Sequence, residues 1–149
     1  MFNGRYDHAL DEKGRVSIPA RFREKLQGDG HDLLYITNFV MEGEHLLELF
    51  QPNEWEKRVA KFADTRATDR EAQLFETFYI GGAHEVPVDR QGRILIPPRL
   101  REFARLGRDV TFSAKHNRFE LWDTATLDRV LLMTVDSLRK PEFLAKINI

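Results

Sequence analysis

The sequence predicts an α+β fold built from two tandem copies of one hairpin-and-helix unit, and three observations point to it. A sixteen-residue block recurs within the chain, each copy carries the turn chemistry of a β-hairpin running into a helix start, and each is followed by two further strand-like runs and a helix. Asp11 to Leu26 aligns without gaps on Asp89 to Ala104 at an offset of 78, with eight of sixteen positions identical, where chance gives about one. The identities are Asp11/Asp89, Gly14/Gly92, Arg15/Arg93, Ile18/Ile96, Pro19/Pro97, Arg21/Arg99, Arg23/Arg101 and Glu24/Glu102. A weaker echo, Leu47-Glu-Leu-Phe50 against Phe119-Glu-Leu-Trp122, comes at an offset of 72, so the first copy carries a longer central loop.

Each element follows from local chemistry. Aspartate at the first position and glycine at the fourth suit a type I turn, with Gly14 and Gly92 free to take the positive φ that closes a hairpin with a bulge. Val16-Ser-Ile18 and Ile94-Leu-Ile96 are short strands, and Pro19 and Pro97 fit a first helical residue, which needs no N–H donor. In the second helix Leu100, Phe103 and Ala104 share one face, leaving Arg99, Arg101 and Arg105 on the other; Gly28 and Gly107 are the expected stops. A second strand pair follows in each copy, Leu33 to Phe39 with His45 to Phe50, and Val110 to Ala114 with Arg118 to Trp122, with turns at Gly43 and Asn117. Helices open at Pro52-Asn-Glu-Trp55 and after Thr124. The connecting segment is itself helical, with Thr68-Asp-Arg-Glu71 as a capping box before Leu74, Phe75 and Phe78, which with Leu100, Phe103 and Leu106 are assigned to core or subunit interface. The expected division is 1–65 for the first repeat with its helix, 66–80 for the helical linker and 81–149 for the second repeat with its C-terminal helix.

Composition narrows the function classes. The 149 residues are 42% hydrophobic and 32% charged, enough for a core without staples, since there are no cysteines. No apolar run approaches the roughly 20 residues that span a bilayer, and Met1 to Tyr6 lacks a signal-peptide apolar core, so a cytoplasmic protein is expected. The five histidines (His8, His31, His45, His84 and His116) show no metal-binding spacing. No nucleophile elbow or nucleotide-binding glycine loop is present; His84 beside Glu85 is assigned to a strand entering the second hairpin. No catalysis, metal, cofactor, small-molecule substrate or membrane partner is therefore expected. Net charge is only -1, but charge is segregated: residues 1–25 hold six basic residues against four acids, residues 89–108 six against two, and residues 41–58 five glutamates against Lys57 and Arg58.

The tandem Asp-x-x-x-Arg motifs, Met1-Phe2 leading into the first strand, and Gly81-Gly82-Ala-His-Glu85 ahead of Asp89-Arg-Gln-Gly-Arg93 resemble the MraZ family of bacterial transcriptional regulators over nearly the whole chain. The resemblance implies an AbrB/SpoVT-like swapped-hairpin fold, in which the two halves form a pseudo-dimeric β-barrel with flanking helices within one chain, and several chains assemble into a homo-oligomeric ring. It also implies a nucleoid-associated regulator of double-stranded DNA. Its targets would be short repeated promoter boxes upstream of the division and cell-wall gene cluster, including its own gene, usually as a repressor.

Residue chemistry is compatible with that reading. Arg15 and Lys13 lie on one side of a tight hairpin tip that can present cations to phosphates or to a groove, and a bidentate guanidinium on guanine would add sequence choice. Arg15 is the first candidate for specificity. Arg5, Arg21, Arg23 and Lys25 are candidates for backbone contact, with ordinary solvent-facing positions as the alternative for the helix arginines. Arg93 occupies the equivalent position in the second copy, but Gln91 replaces Lys13 and Arg90 is displaced by one, so the first repeat is expected to face DNA more directly. The alternative for Asp11 with Arg15 and Asp89 with Arg93 is an ion pair that only braces each turn. A different function class also stays open: an antitoxin-like or scaffold protein-interaction module of the same fold, for which the apolar Pro141 to Ile149 would be a docking segment.

Overall fold

The computed structural model describes residues 1–63 and 69–149. Its first half runs β1 (Arg5–Ala9), β2 (Arg15–Ser17), α1 (Ala20–Gly28), β3 (Leu33–Met41), β4 (Glu44–Phe50) and α2 (Pro52–Ala63). After α3 (Arg70–Tyr79), the second half repeats the order as β5 (His84–Pro87), β6 (Arg93–Leu95), α4 (Pro98–Phe103), β7 (Asp109–Lys115), β8 (Arg118–Asp123) and α5 (Thr124–Leu138), then adds α6 (Pro141–Ile147).

The halves do not fold side by side. In the six-stranded sheet the order is β1-β7-β8-β4-β3-β5, so β1 of the first half pairs with β7 of the second and β5 of the second with β3 of the first. This exchange is the swapped arrangement that the repeat family implies. The register locates the internal two-fold axis. The β2–β6 ladder is centred on Val16 opposite Ile94, and the β4–β8 ladder on Glu48 opposite Glu120. Ile94 follows Val16 by 78 residues and Glu120 follows Glu48 by 72, the two offsets of the sequence repeat. Antiparallel strands paired on equivalent residues require a two-fold axis between them, so the chain is a pseudo-dimer with itself. Among the described residues the strands form two sheets, with β1 and β5 as the edges of the larger and β2–β6 as a separate two-stranded ribbon, not one continuous closed ladder.

Between the two sheets lies the main core. Val16 and Ile94 of the ribbon share this core with Leu34, Ile36, Leu47, Leu49, Val110, Phe112, Phe119 and Leu121 of the large sheet, with Phe22 and Leu26 of α1, and with Leu100 of α4 and Ala104 just past its end. Strand alternation sends Glu48 and Glu120 to the opposite face, 1% and 4% exposed. Charged groups at that depth need partners. Glu48 accepts from Arg118 Nε at 3.1 Å and from the Tyr79 hydroxyl, while Glu120 accepts from Lys115 Nζ at 2.9 Å and Trp122 Nε1 at 3.1 Å. Burial, then the neighbouring Glu48 charge, raises the Tyr79 hydroxyl pKa well above that of a free tyrosine.

Several boundaries differ from the sequence expectation. Pro19 and Pro97 are N-caps with extended ψ of 141° and 133°, and Pro98 holds the first helical position of α4. The reason is that Ile18 and Ile96 still belong to the strand network, donating to Gly92 O and Gly14 O at 3.0 and 2.9 Å. Helix α1 does end at Gly28, but the left-handed residue is Gly30 at φ +76°, and His31 N donates to Leu26 O at 2.8 Å. Helix α4 ends before Gly107, because Arg105 takes the left-handed position at φ +52°. Gly107 N donates instead to Asp123 Oδ1 at 3.0 Å. The cap of α3 is Asp69, whose Oδ1 accepts from Ala72 N at 3.1 Å; Thr68 lies outside the described residues, as does the expected 65/66 boundary. Turns at Glu42-Gly43 and His116-Asn117 close both strand pairs as expected. Leu106 and Phe103 pack against the main core, and Phe75 and Phe78 pack around Tyr79 and Trp55, whereas Leu74 is exposed.

Candidate nucleic-acid interface

Each hairpin tip is built by one aspartate. Asp11 O accepts from Gly14 N at 3.0 Å, and Asp11 N donates to Arg15 O at 2.9 Å. Its side chain gathers the rest: Oδ1 accepts from Lys13 N and Arg15 N at 2.9 and 2.8 Å, and Oδ2 from Arg15 Nε at 2.8 Å. The second tip repeats this, with Asp89 Oδ1 accepting from Gln91 N and Arg93 N at 2.9 Å each and Oδ2 from Arg93 Nε at 3.1 Å. The ion pairs considered as an alternative are thus formed, yet they engage only Nε. The terminal nitrogens of Arg15 and Arg93 make no hydrogen bond among the described residues. The aspartate fixes the arginine and leaves its outer fork open.

Backbone hydrogen bonds from Arg15 N and Arg93 N are the main reason the Asp11 and Asp89 carboxyls sit below the usual carboxylate range. A carboxyl whose pKa is depressed in the folded state contributes stability that is present above its unfolded pKa of about 4 and is lost as pH falls through the folded value. Both turns should therefore loosen on acidification below about pH 4. Amide exchange at residues 11–15 and 89–93, followed against pH, checks this, and Asp11→Asn should flatten the response at the first tip.

Pairing of β2 with β6 brings the two tips into one surface. Arg15 lies opposite Leu95 and Ser17 opposite Arg93, so these four point outward while Val16 and Ile94 point into the core. Arg15 and Arg93 are diagonal neighbours, about 7–8 Å apart by strand geometry. Lys13 and Arg90 are exposed at the two ends. Arg5 begins β1, six residues before Asp11, about 20 Å from the first tip along an extended strand. Arg21 is exposed on α1, and Lys25 pairs with Asp29 at 3.3 Å.

The role of the helix arginines is one the sequence did not reveal. Arg23 of the first half donates through Nη2 to Arg90 O of the second tip at 2.6 Å and lies against Gly92. Arg101 of the second half lies against Gly14 of the first tip, where an added Cβ would come within 2.3 Å of its Nη1. Each half's helix thus braces the other half's turn. The signal in the sequence was the Arg23/Arg101 identity within the repeat, which says that both have a task but not where it lies. Gly14→Ala combines this close approach with a φ of +84°, and should cost about 1–3 kcal/mol of stability, read as a lower urea midpoint.

Among the described residues no group of three or more His, Asp or Glu is placed to hold a metal ion, and no helix is long and apolar enough to cross a membrane.

Comparison with known proteins places these features. A family model described as "MraZ protein, putative antitoxin-like" matches the chain twice, at residues 1–78 and 79–140. A protein of Syntrophobacter fumaroxidans named Transcriptional regulator MraZ is 42% identical over 145 residues, covering 97% of this chain and 94% of its own length. Proteins of the same name from Acetivibrio thermocellus and Acidithiobacillus ferrooxidans are 41% and 35% identical, covering 83% and 86% of this chain and 81% and 86% of their own. Two matched units over nearly the whole length, on a chain whose halves exchange strands about an internal two-fold axis, make this protein a member of the MraZ family.

Proposed function

We propose that this chain is a DNA-binding transcriptional regulator that lays the β2–β6 ribbon into the major groove of duplex DNA. The observation that carries the reading is the outward face of that ribbon, where Arg15 and Arg93 are held by Nε with their terminal nitrogens open. A two-stranded ribbon fits the major groove, and a guanidinium fork matches guanine O6 and N7. Lys13 at the first tip and Arg90 at the second contribute phosphate contacts, and Asp11, Gly14, Asp89 and Gly92 hold the turns in shape. Arg5, at the start of β1, is a further candidate for a phosphate contact. Support for regulation comes from the relatives' name.

The finer reading is a cytoplasmic, nucleoid-associated repressor of the division and cell-wall gene cluster, its own gene included. With a net charge of -1, one chain making a few phosphate contacts binds weakly at physiological salt. A ring of several chains on repeated boxes raises avidity through effective concentration. The test is a fluorescence-anisotropy titration of the region upstream of the chain's own gene against scrambled duplex of equal length, at two salt concentrations. Selective binding that weakens steeply with salt is the expected result; equal binding to both duplexes would reject the reading.

A second reading, the protein-interaction module, draws on exposed apolar residues of the C-terminal helices. Leu132, Met133, Val135 and Leu138 of α5 and Leu144 and Ile147 of α6 are exposed, more apolar surface than isolated surface residues account for. The same duplex titration separates the two, since this reading predicts no DNA selectivity.

A further inference from the structure

The internal two-fold axis makes one departure from symmetry visible on the ribbon. Equivalent positions 17 and 95 both point outward beside an arginine of the opposite strand, but Ser17 faces Arg93 while Leu95 faces Arg15. Leu95 is 52% exposed, on a short strand whose other apolar residue, Ile94, is 1% exposed in the core. The alternation of the strand explains Ile94 and leaves Leu95 without a packing role.

We propose that Leu95 is a specificity-determining residue that contacts a thymine C5-methyl group beside the base read by Arg15. This deepens the duplex-reading function proposed above and rests on it. A leucine side chain can neither donate nor accept a hydrogen bond, and the one apolar group that a base pair displays in the major groove is the thymine methyl. The Arg15–Leu95 end of the ribbon therefore asks for a guanine with a thymine methyl next to it. At the Ser17–Arg93 end the hydroxyl donates to or accepts from any base edge, so that end carries no methyl requirement.

The test begins by enriching a preferred duplex from a random pool with the wild-type chain. Each thymine of that duplex is then replaced by deoxyuridine, which removes only the methyl. At one thymine the replacement should weaken wild-type binding about 3- to 10-fold, as expected for a single apolar base contact. With Leu95→Ser, which installs the residue already accepted at the equivalent outward position, the same replacement should have no effect; Ser17→Ala should keep the wild-type response. An unchanged thermal midpoint for Leu95→Ser excludes loss of fold as the cause. An enriched duplex that needs Arg15 but is indifferent to methyl removal at every thymine would overturn the Leu95 assignment alone. Failure to enrich any duplex would overturn the duplex-reading function and the assignment together.

Discussion

Arg15→Ala should lower affinity for the preferred duplex by about 10- to 100-fold and abolish most of its preference over scrambled DNA, as expected for the loss of one bidentate base contact of about 1–3 kcal/mol. The fold should survive. The Arg15 side chain is more than a third exposed, and its ion pair with Asp11 at 2.8 Å contributes little in water. The turn itself is held by the backbone N–H groups of Lys13 and Arg15 on Asp11 Oδ1, which the substitution leaves in place. Binding and thermal midpoint should therefore part company, measured by anisotropy and by circular dichroism on the same sample. Arg93→Ala should act in the same direction with a smaller effect, because its tip carries Gln91 where the first carries Lys13. A phosphate-only role for Arg15 would instead weaken both duplexes equally.

Phe119→Ala carries the largest expected stability loss, about 3–5 kcal/mol. Phe119 is fully buried in β8, and its ring lies 5.1 Å from Phe22 of α1 in a stacked arrangement and 4.8 Å from Phe2 near the N-terminus. One side chain of the second half thus holds the helix and leading segment of the first. Because β1 and β5 are also exchanged between halves, neither half keeps a complete sheet when this contact is lost. Urea unfolding should remain a single transition, with far-ultraviolet circular dichroism and tryptophan fluorescence falling together at a much lower midpoint. Separate transitions would show that the halves fold independently, contrary to the strand exchange.

The two hairpin tips and their glycines were legible because a turn is decided within four or five residues: aspartate first, glycine fourth, positive φ at Gly14 and Gly92. The strand pairs and the helix following each were legible for the same reason. What local chemistry could not supply was the pairing between halves. An offset of 78 states that two units are alike, not that β1 belongs with β7, and the exchange was an expectation from family resemblance alone. The contact of Arg23 with Arg90 O spans 67 residues, beyond any local pattern. Gly107 misled as a helix stop because its role is to let Asp123 reach a backbone N–H, while Arg105 bears the left-handed turn. At the candidate interface, Arg15, Lys13, Arg93 and Arg90 could be nominated from the repeat, whereas Ser17 and Leu95 came into view only with the β2–β6 register, which decides what stands beside each arginine.

The central claim is that the β2–β6 ribbon meets duplex DNA, and amide hydrogen exchange of the free chain and of its complex with the enriched duplex tests it most directly. Protection on binding should concentrate at residues 11–17 and 89–95, with the C-terminal helices unchanged at fixed protein concentration. Protection confined to α5 and α6, with the two tips exchanging as in the free chain, would contradict it.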